Sequence, residues 1–165
     1  MKEGKAMKKW TALVLCALLG TALLAGCKGG EKEPDVTPEE ILNKIVETVG
    51  EDDLPQMTDI DDDALSTLYG IDYNVLEDYR GKTAMINVRA DEFFVAKVKE
   101  GEMEAVEAGI AQRQEDLDAT WSQYLPDVYE TVKDARVVKN GSFILFVVSE
   151  KADDAVAVFD EMTKS

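Results

Sequence analysis

The spacing of apolar positions changes along the chain, and each change marks an element. From Trp10 to Leu24 nearly every residue is apolar, without the polar face that a helix lying on a globular core carries. Further on, Ile41, Leu42, Ile45, Val46 and Val49 recur at helical spacing. Thr37-Pro38-Glu39-Glu40 precedes them and supplies a cap, a first-turn proline and the reciprocal glutamate of a capping box, with Gly50 as the stop. Asp61-Asp62-Asp63 opens a short predicted helix carrying Leu65 and Leu68 and ending at Gly70, and residues 71–80 read as a short helix or turn.

The period then drops to two. Residues 83–88 place Ala84, Ile86 and Val88 on one face, and residues 93–99 place Phe94, Ala96 and Val98 opposite Lys97 and Lys99. Both predict half-buried strands, with Arg89 to Glu92 turning between them. Residues 102–124 predict a long helix with Met103, Val106, Ile110, Leu117, Trp121 and Tyr124 along one side, and Pro126 starts a shorter one with Val128, Tyr129 and Val132 inward. Residues 135–149 read as a hairpin whose Asn140-Gly141 favours a type I′ turn. Residues 143–148 are apolar throughout, as in a central strand covered on both faces. A last amphipathic helix, residues 150–162, turns Ala155, Val156, Phe159 and Met162 inward. This order predicts one α+β domain over residues 37–165: a small, mostly antiparallel sheet packed by helices.

The apolar run near the N-terminus follows Lys2, Lys5, Lys8 and Lys9 and closes on Leu24-Ala25-Gly26-Cys27. It falls short of the roughly 20 residues a membrane-spanning helix needs. A positive head, a short apolar middle and a small-residue exit make a secretory signal peptide over residues 1–26. Either Met1 or Met7, which opens Met-Lys-Lys-Trp, can serve as the start. Leu24-Ala25-Gly26-Cys27 resembles the lipobox of bacterial lipoproteins, in which the cysteine thiol receives a diacylglyceryl group and cleavage falls just before it. The resemblance implies lipidation at Cys27, membrane lipid as a partner, and a place on the extracytoplasmic face of the cell membrane. Two or more acyl chains hold a protein stably where one holds it only marginally. Residues 27–36, rich in Gly, Pro and charge, read as a tether whose length from Lys28 to Val36 reaches at most about 30 Å.

Charge narrows the partners. The chain carries 18 basic and 34 acidic residues, a net −16. Loss of residues 1–26 removes four lysines and Glu3, which takes the net charge to −19. Such a surface repels nucleic-acid phosphate and anionic headgroups, so nucleic-acid binding is excluded; the charge reads first as solubility, and a cation or a basic partner is the sharper alternative. Of the two cysteines, Cys16 leaves with the signal and Cys27 is acylated. No disulfide is then available, and packing must hold the domain.

The stretches Leu68–Asp72 (LYGID), Ala90–Lys99 (ADEFFVAKVK) and Gln123–Ser149 (QYLPDVYETVKDARVVKNGSFILFVVS), in that order, resemble the clostridial-type lipoproteins grouped as domain of unknown function 4358. The resemblance runs from about Thr37 to the C-terminus. It implies a single lipoprotein domain and supplies no activity and no catalytic residue.

Candidate chemistry is sparse. The chain has no histidine, which removes the usual general base, the usual zinc ligand and every Ser-His or Cys-His system. No glycine-rich phosphate loop is present, and Ser66 and Ser142 lack a hydrolase context. Asp59, Asp61 and Asp63 have the spacing that begins an EF-hand loop, but the glycine expected at its sixth position is Ala64 and the glutamate expected at its twelfth is Gly70. They fit a helix N-terminus better. Arg113 falls between Ile110 and Leu117 on the apolar side of the long helix. A buried lone guanidinium is costly, so Asp91 or Glu92 is its expected partner; the alternative is an anion-reading residue in a groove. Trp121, Tyr124 and Tyr129 read as core and rim before they read as a sugar platform. Together these features favour a non-catalytic, membrane-anchored binding or interaction module without a cofactor or metal, its partner an unidentified protein or small ligand. The alternative is a ligand- or cation-binding accessory to an envelope process such as transport.

The anchor is directly testable. Cys27→Ala should abolish incorporation of radioactive fatty acid and leave the protein uncleaved or released. Undiminished label in the variant would contradict the assignment.

Overall fold

The computed structural model describes residues 33–164. The expected signal segment, Cys27 and the expected tether up to Lys32 lie outside the described residues, and Lys32–Ser165 forms one compact unit.

The first helix, α1 (Pro38–Val49), starts as its sequence requires. The Glu40 amide donates to the Thr37 hydroxyl at 3.2 Å, and the Glu40 carboxylate accepts from the Thr37 amide at 2.9 Å. Donation to that carboxylate from the Thr37 amide, and less from the Thr37 hydroxyl at 2.9 Å, holds the Glu40 carboxyl below its usual pKa. Five strands follow: β1 (Met57–Asp59), β2 (Leu76–Ala84), β3 (Glu92–Val98), β4 (Arg136–Asn140) and β5 (Phe143–Val148). They form one sheet in the order β1-β2-β3-β5-β4, with every neighbouring pair antiparallel. The remaining helices are α2 (Asp62–Ala64), which runs on into a π-wound turn (Leu65–Tyr69), then α3 (Met103–Trp121), α4 (Pro126–Lys133) and α5 (Ala152–Thr163).

The two inner strands dictate the layering. All six residues of β5 are buried, and in β3 only Lys97 is less than fully buried. A sheet apolar on both faces must be covered on both. One face presents Phe94, Ala96, Ile144 and Phe146 to α3, α4 and the Leu65–Tyr69 turn. The other presents Phe93, Val95, Phe143, Leu145 and Val147 to α1 and α5. The result is the expected α+β architecture, with helices on both faces of an antiparallel sheet.

Three local expectations need correction. The second strand lies at Leu76–Ala84, where a helix or turn was expected, and not at residues 83–88. Its composition is polar, yet pairing with β3 from Leu76↔Val98 to Thr83↔Glu92 holds it in the sheet. Ile86 and Val88, 43 % and 54 % exposed, instead belong to the loop that follows. Strand β3 is covered on both faces rather than half-buried, because Phe93 and Val95 meet the α1–α5 layer. In the hairpin, Asn140 pairs with Phe143, so Gly141 and Ser142 are the central turn residues. Gly141 has φ +59° and, among the described residues, no non-glycine residue has a positive φ, which fits a type II′ turn and not type I′. Asn140 is kept in the strand by its side-chain amide, which donates to Asp160 and Thr163 of α5, each at 2.9 Å.

The long helix also ends sooner than expected, at Trp121, and leaves Tyr124 58 % exposed. It approaches the neighbouring turn most closely at Gly109. A Cβ there would lie 2.5 Å from Ile71 Cγ1 and 2.6 Å from the Tyr69 carbonyl oxygen. Gly109→Ala should therefore destabilise the domain by about 1–2 kcal/mol, because overpacking against backbone (roughly 1–3 kcal/mol) exceeds the gain of about 1 kcal/mol in helix propensity. Denaturant unfolding of the variant decides this; a midpoint at or above that of the wild type would show that the contact relaxes freely.

Candidate functional site

Arg113 reaches the sheet and finds Glu92. Its Nε donates to Glu92 Oε1 at 2.9 Å and its Nη2 to Oε2 at 2.5 Å. Tyr69 donates its hydroxyl to Oε1 at 2.5 Å, and the Thr83 hydroxyl donates to Oε2 at 3.0 Å. Glu92 is 1 % exposed. A carboxylate has about four acceptor sites, and all are used. The partners come from the π-wound turn, β2, β3 and α3, so local structure sets each position. The turn ends at Tyr69, and Gly109 lets α3 close onto that residue's backbone. The Arg113 guanidinium also lies 6.0 Å from the Tyr69 ring centre.

Burial pulls the Arg113 pKa down, but the hydrogen bond and charge of Glu92 more than offset it and leave the pKa above its usual value. Tyr69 is pushed well above its ordinary value of 10.0, first by burial and then by the Glu92 charge. The Glu92 carboxylate is saturated and offers a ligand no free acceptor, while Arg113 spends two of its five N–H donors on it and keeps 14 % of its side chain exposed. Arg113 is an internal ion-pair partner, and Glu92, not Asp91, is the carboxylate. Asp91 is held separately by Arg89, whose Nε and Nη2 donate to it at 2.7 and 3.0 Å.

The other sequence candidates disperse. Asp61 caps α2, accepting the Ala64 amide at 2.8 Å. Asp59 lies on β1 and pairs with Lys82 at 2.6 Å. Asp63 stands in the first turn of α2. Among the described residues, no three His, Cys, Asp or Glu side chains are grouped to hold a metal ion. Trp121 is buried at the end of α3, and the exposed Tyr124 ring lies 5.9 Å away. Tyr129 donates its hydroxyl to Asp118 at 2.6 Å. These aromatics are core and rim, as expected. The hydroxyl of Ser142 donates to Glu33.

Two open grooves stand out among the described residues. One, of about 280 Å³, runs between α1 and the β1–β2 edge, and its charges are paired: Arg80 with Glu39 at 3.2 Å and Lys82 with Asp59. The other, of about 350 Å³, lies between α4 and the segment joining β5 to α5, and continues into a smaller recess beside Arg89 and Asp91. Its charged lining is Asp127, Glu130, Asp134, Glu150 and Asp153 together with Arg136. Small-molecule pockets enclose their ligand with mostly apolar walls; this groove is open and acidic.

A family model described as "Domain of unknown function (DUF4358)" matches residues 51–149. The chain belongs to the DUF4358 family. The matched segment contains all five strands, α3 and α4, and so the whole Glu92 network. It is narrower than the resemblance read from the sequence, which began near Thr37: α1 and α5, the layer on one face of the sheet, flank it. No curated protein and no solved structure matches the chain.

Tyr69 and Thr83 escaped sequence reasoning, since nothing in their spacing points to Glu92. Tyr69 does belong to the Leu68–Asp72 stretch and Glu92 to the Ala90–Lys99 stretch, so two of the stretches that carry the family resemblance meet at one hydrogen bond. Arg113→Leu should cost about 3–5 kcal/mol, the penalty for leaving a buried charge unpaired. With Glu92→Gln added, which keeps an acceptor for Tyr69 and Thr83, the double variant should be more stable than Arg113→Leu alone. Unfolding of the wild type, both single variants and the double variant measures the coupling; a value near zero with Arg113→Leu as stable as wild type would overturn the ion-pair assignment.

Proposed function

We propose that this DUF4358 protein is a lipid-anchored, extracytoplasmic interaction module without catalytic activity. The carrying observation is Leu24-Ala25-Gly26-Cys27 at the end of a short apolar run behind four lysines. That arrangement suits export, acylation of Cys27 and retention on the outer side of the cell membrane. The chemistry of the domain supports the rest of the reading. The chain has no histidine, and the buried Glu92 carboxylate has its acceptor sites taken up by Tyr69, Thr83 and Arg113. Its grooves are open and polar, shapes that suit a macromolecular surface better than a small substrate.

The test is made on the full chain in the bacterial cell. Photo-crosslinking side chains are placed at the exposed positions Tyr73, Ile86 and Tyr124 in turn. At least one position should give a discrete crosslink to another envelope protein, in the membrane fraction. Absence of crosslinks from all three, or turnover of an envelope polymer by the purified full chain, would overturn the reading.

A further inference from the structure

The two ends of the sheet differ in kind. The chain enters at one end, where Glu33 accepts from Ser142 and pairs with Lys97 at 3.3 Å. Lys97 and Phe143 are opposite each other there, at the close of β3 and the start of β5. At the other end, about 20 Å along the strands, β2 passes into β3 through the loop beginning at Met85. Met85, Ile86 and Val88 are 55 %, 43 % and 54 % exposed. Three large apolar side chains within four residues are half bare, although β3 beside them is almost wholly buried. Scattered single apolar residues need no explanation, but a cluster on an exposed tip marks an interaction site.

The next residues along the chain, Arg89, Ala90 and Asp91, line the recess that continues the acidic groove. Asp91 is neutralised by Arg89, Glu130 pairs with Lys133 at 2.7 Å and Asp153 with Arg136 at 3.3 Å. Asp127, Asp134 and Glu150 have no ion-pair partner among the described residues. The end away from the chain's entry therefore combines a bare apolar tip with a groove in which acidic side chains outnumber basic ones.

We infer that this end is a docking surface for a segment of a partner protein that carries lysine or arginine together with apolar side chains. The charge selects the occupant. A second copy of this chain would bring another strongly acidic surface, and an anionic lipid surface would be repelled. A basic segment gains steering and register from the groove, and the apolar tip supplies the desolvated anchor that charge alone lacks. The inference rests on the interaction-module reading and names the chemistry of its partner.

The test uses the full chain in neutral phosphatidylcholine nanodiscs, with empty discs as the blank. The probes are a 12-residue peptide alternating lysine and leucine, and an oligolysine of equal charge. Three triple variants each alter one region. Met85→Ser, Ile86→Ser and Val88→Ser remove the tip. Asp127→Asn, Asp134→Asn and Glu150→Gln neutralise the groove. Asp35→Asn, Glu100→Gln and Glu104→Gln remove equal charge near the chain's entry. Isothermal titration should show the lysine–leucine peptide binding more tightly than oligolysine. The tip and groove variants should each weaken it on the order of tenfold, and the entry-end variant by far less, with all melting temperatures close to wild type. Binding unaffected by the tip variant, equal losses in all three variants, or no binding of the lysine–leucine peptide would each overturn the inference. A chain that fails here yet crosslinks to a neighbour from Tyr73 or Tyr124 is still an interaction module with its site elsewhere. A chain that crosslinks to nothing loses that reading as well.

Discussion

A carboxylate with 1 % of its surface exposed must be surrounded by donors or be protonated, and Glu92 is surrounded by four. The donors come from three elements far apart in sequence, and the carboxylate ties them to one point. The π-wound turn positions Tyr69, the polar strand β2 contributes Thr83, and α3 is held at the rotation that sends Arg113 inward. Apolar contacts alone would tolerate small slips among these elements, because burial is non-directional. Hydrogen bonds to a single buried charge would not, since every slip leaves a donor or the carboxylate unpaired.

The same requirement accounts for the asymmetry of the two layers. The face toward α1 and α5 is closed mainly by aliphatic and aromatic packing, with Phe93, Phe143 and Phe159 wholly buried. The face toward α3 carries the Glu92 network, and there the aromatic rings of Tyr69, Phe94 and Phe146 pack at centre distances of 4.9 and 6.2 Å. The family match covers the second layer and the sheet and stops short of the first. A polar network needs particular residues at particular places, whereas an apolar face can be covered by many sequences of the right pattern.

Charge is placed unevenly. The Glu92–Arg113 pair sits at the centre of the fold, and the excess of acidic side chains, with the bare apolar tip, sits at the end of the sheet away from Glu33 and Lys97.

Local pattern by itself determined the elements whose forces are local. The capping box at Thr37 and Glu40, the run from Phe143 to Val148 and the amphipathic faces of α1 and α5 were legible because a helix cap, a doubly buried strand and a helical stripe each leave a short-range signature. Tertiary structure decided everything that depended on a partner distant in sequence. The polar residues of β2 became a strand only because β1 and β3 offered it hydrogen bonds, and the alternation of Ala84, Ile86 and Val88 dissolved into a loop when no strand lay beside it. Asn140 left the turn for the strand because Asp160 and Thr163 were there to receive its amide. Arg113 announced in the sequence that it needed a carboxylate, since a lone guanidinium cannot be buried cheaply. The choice between adjacent Asp91 and Glu92 was made by the strand, which turned Glu92 toward α3 and left Asp91 to Arg89.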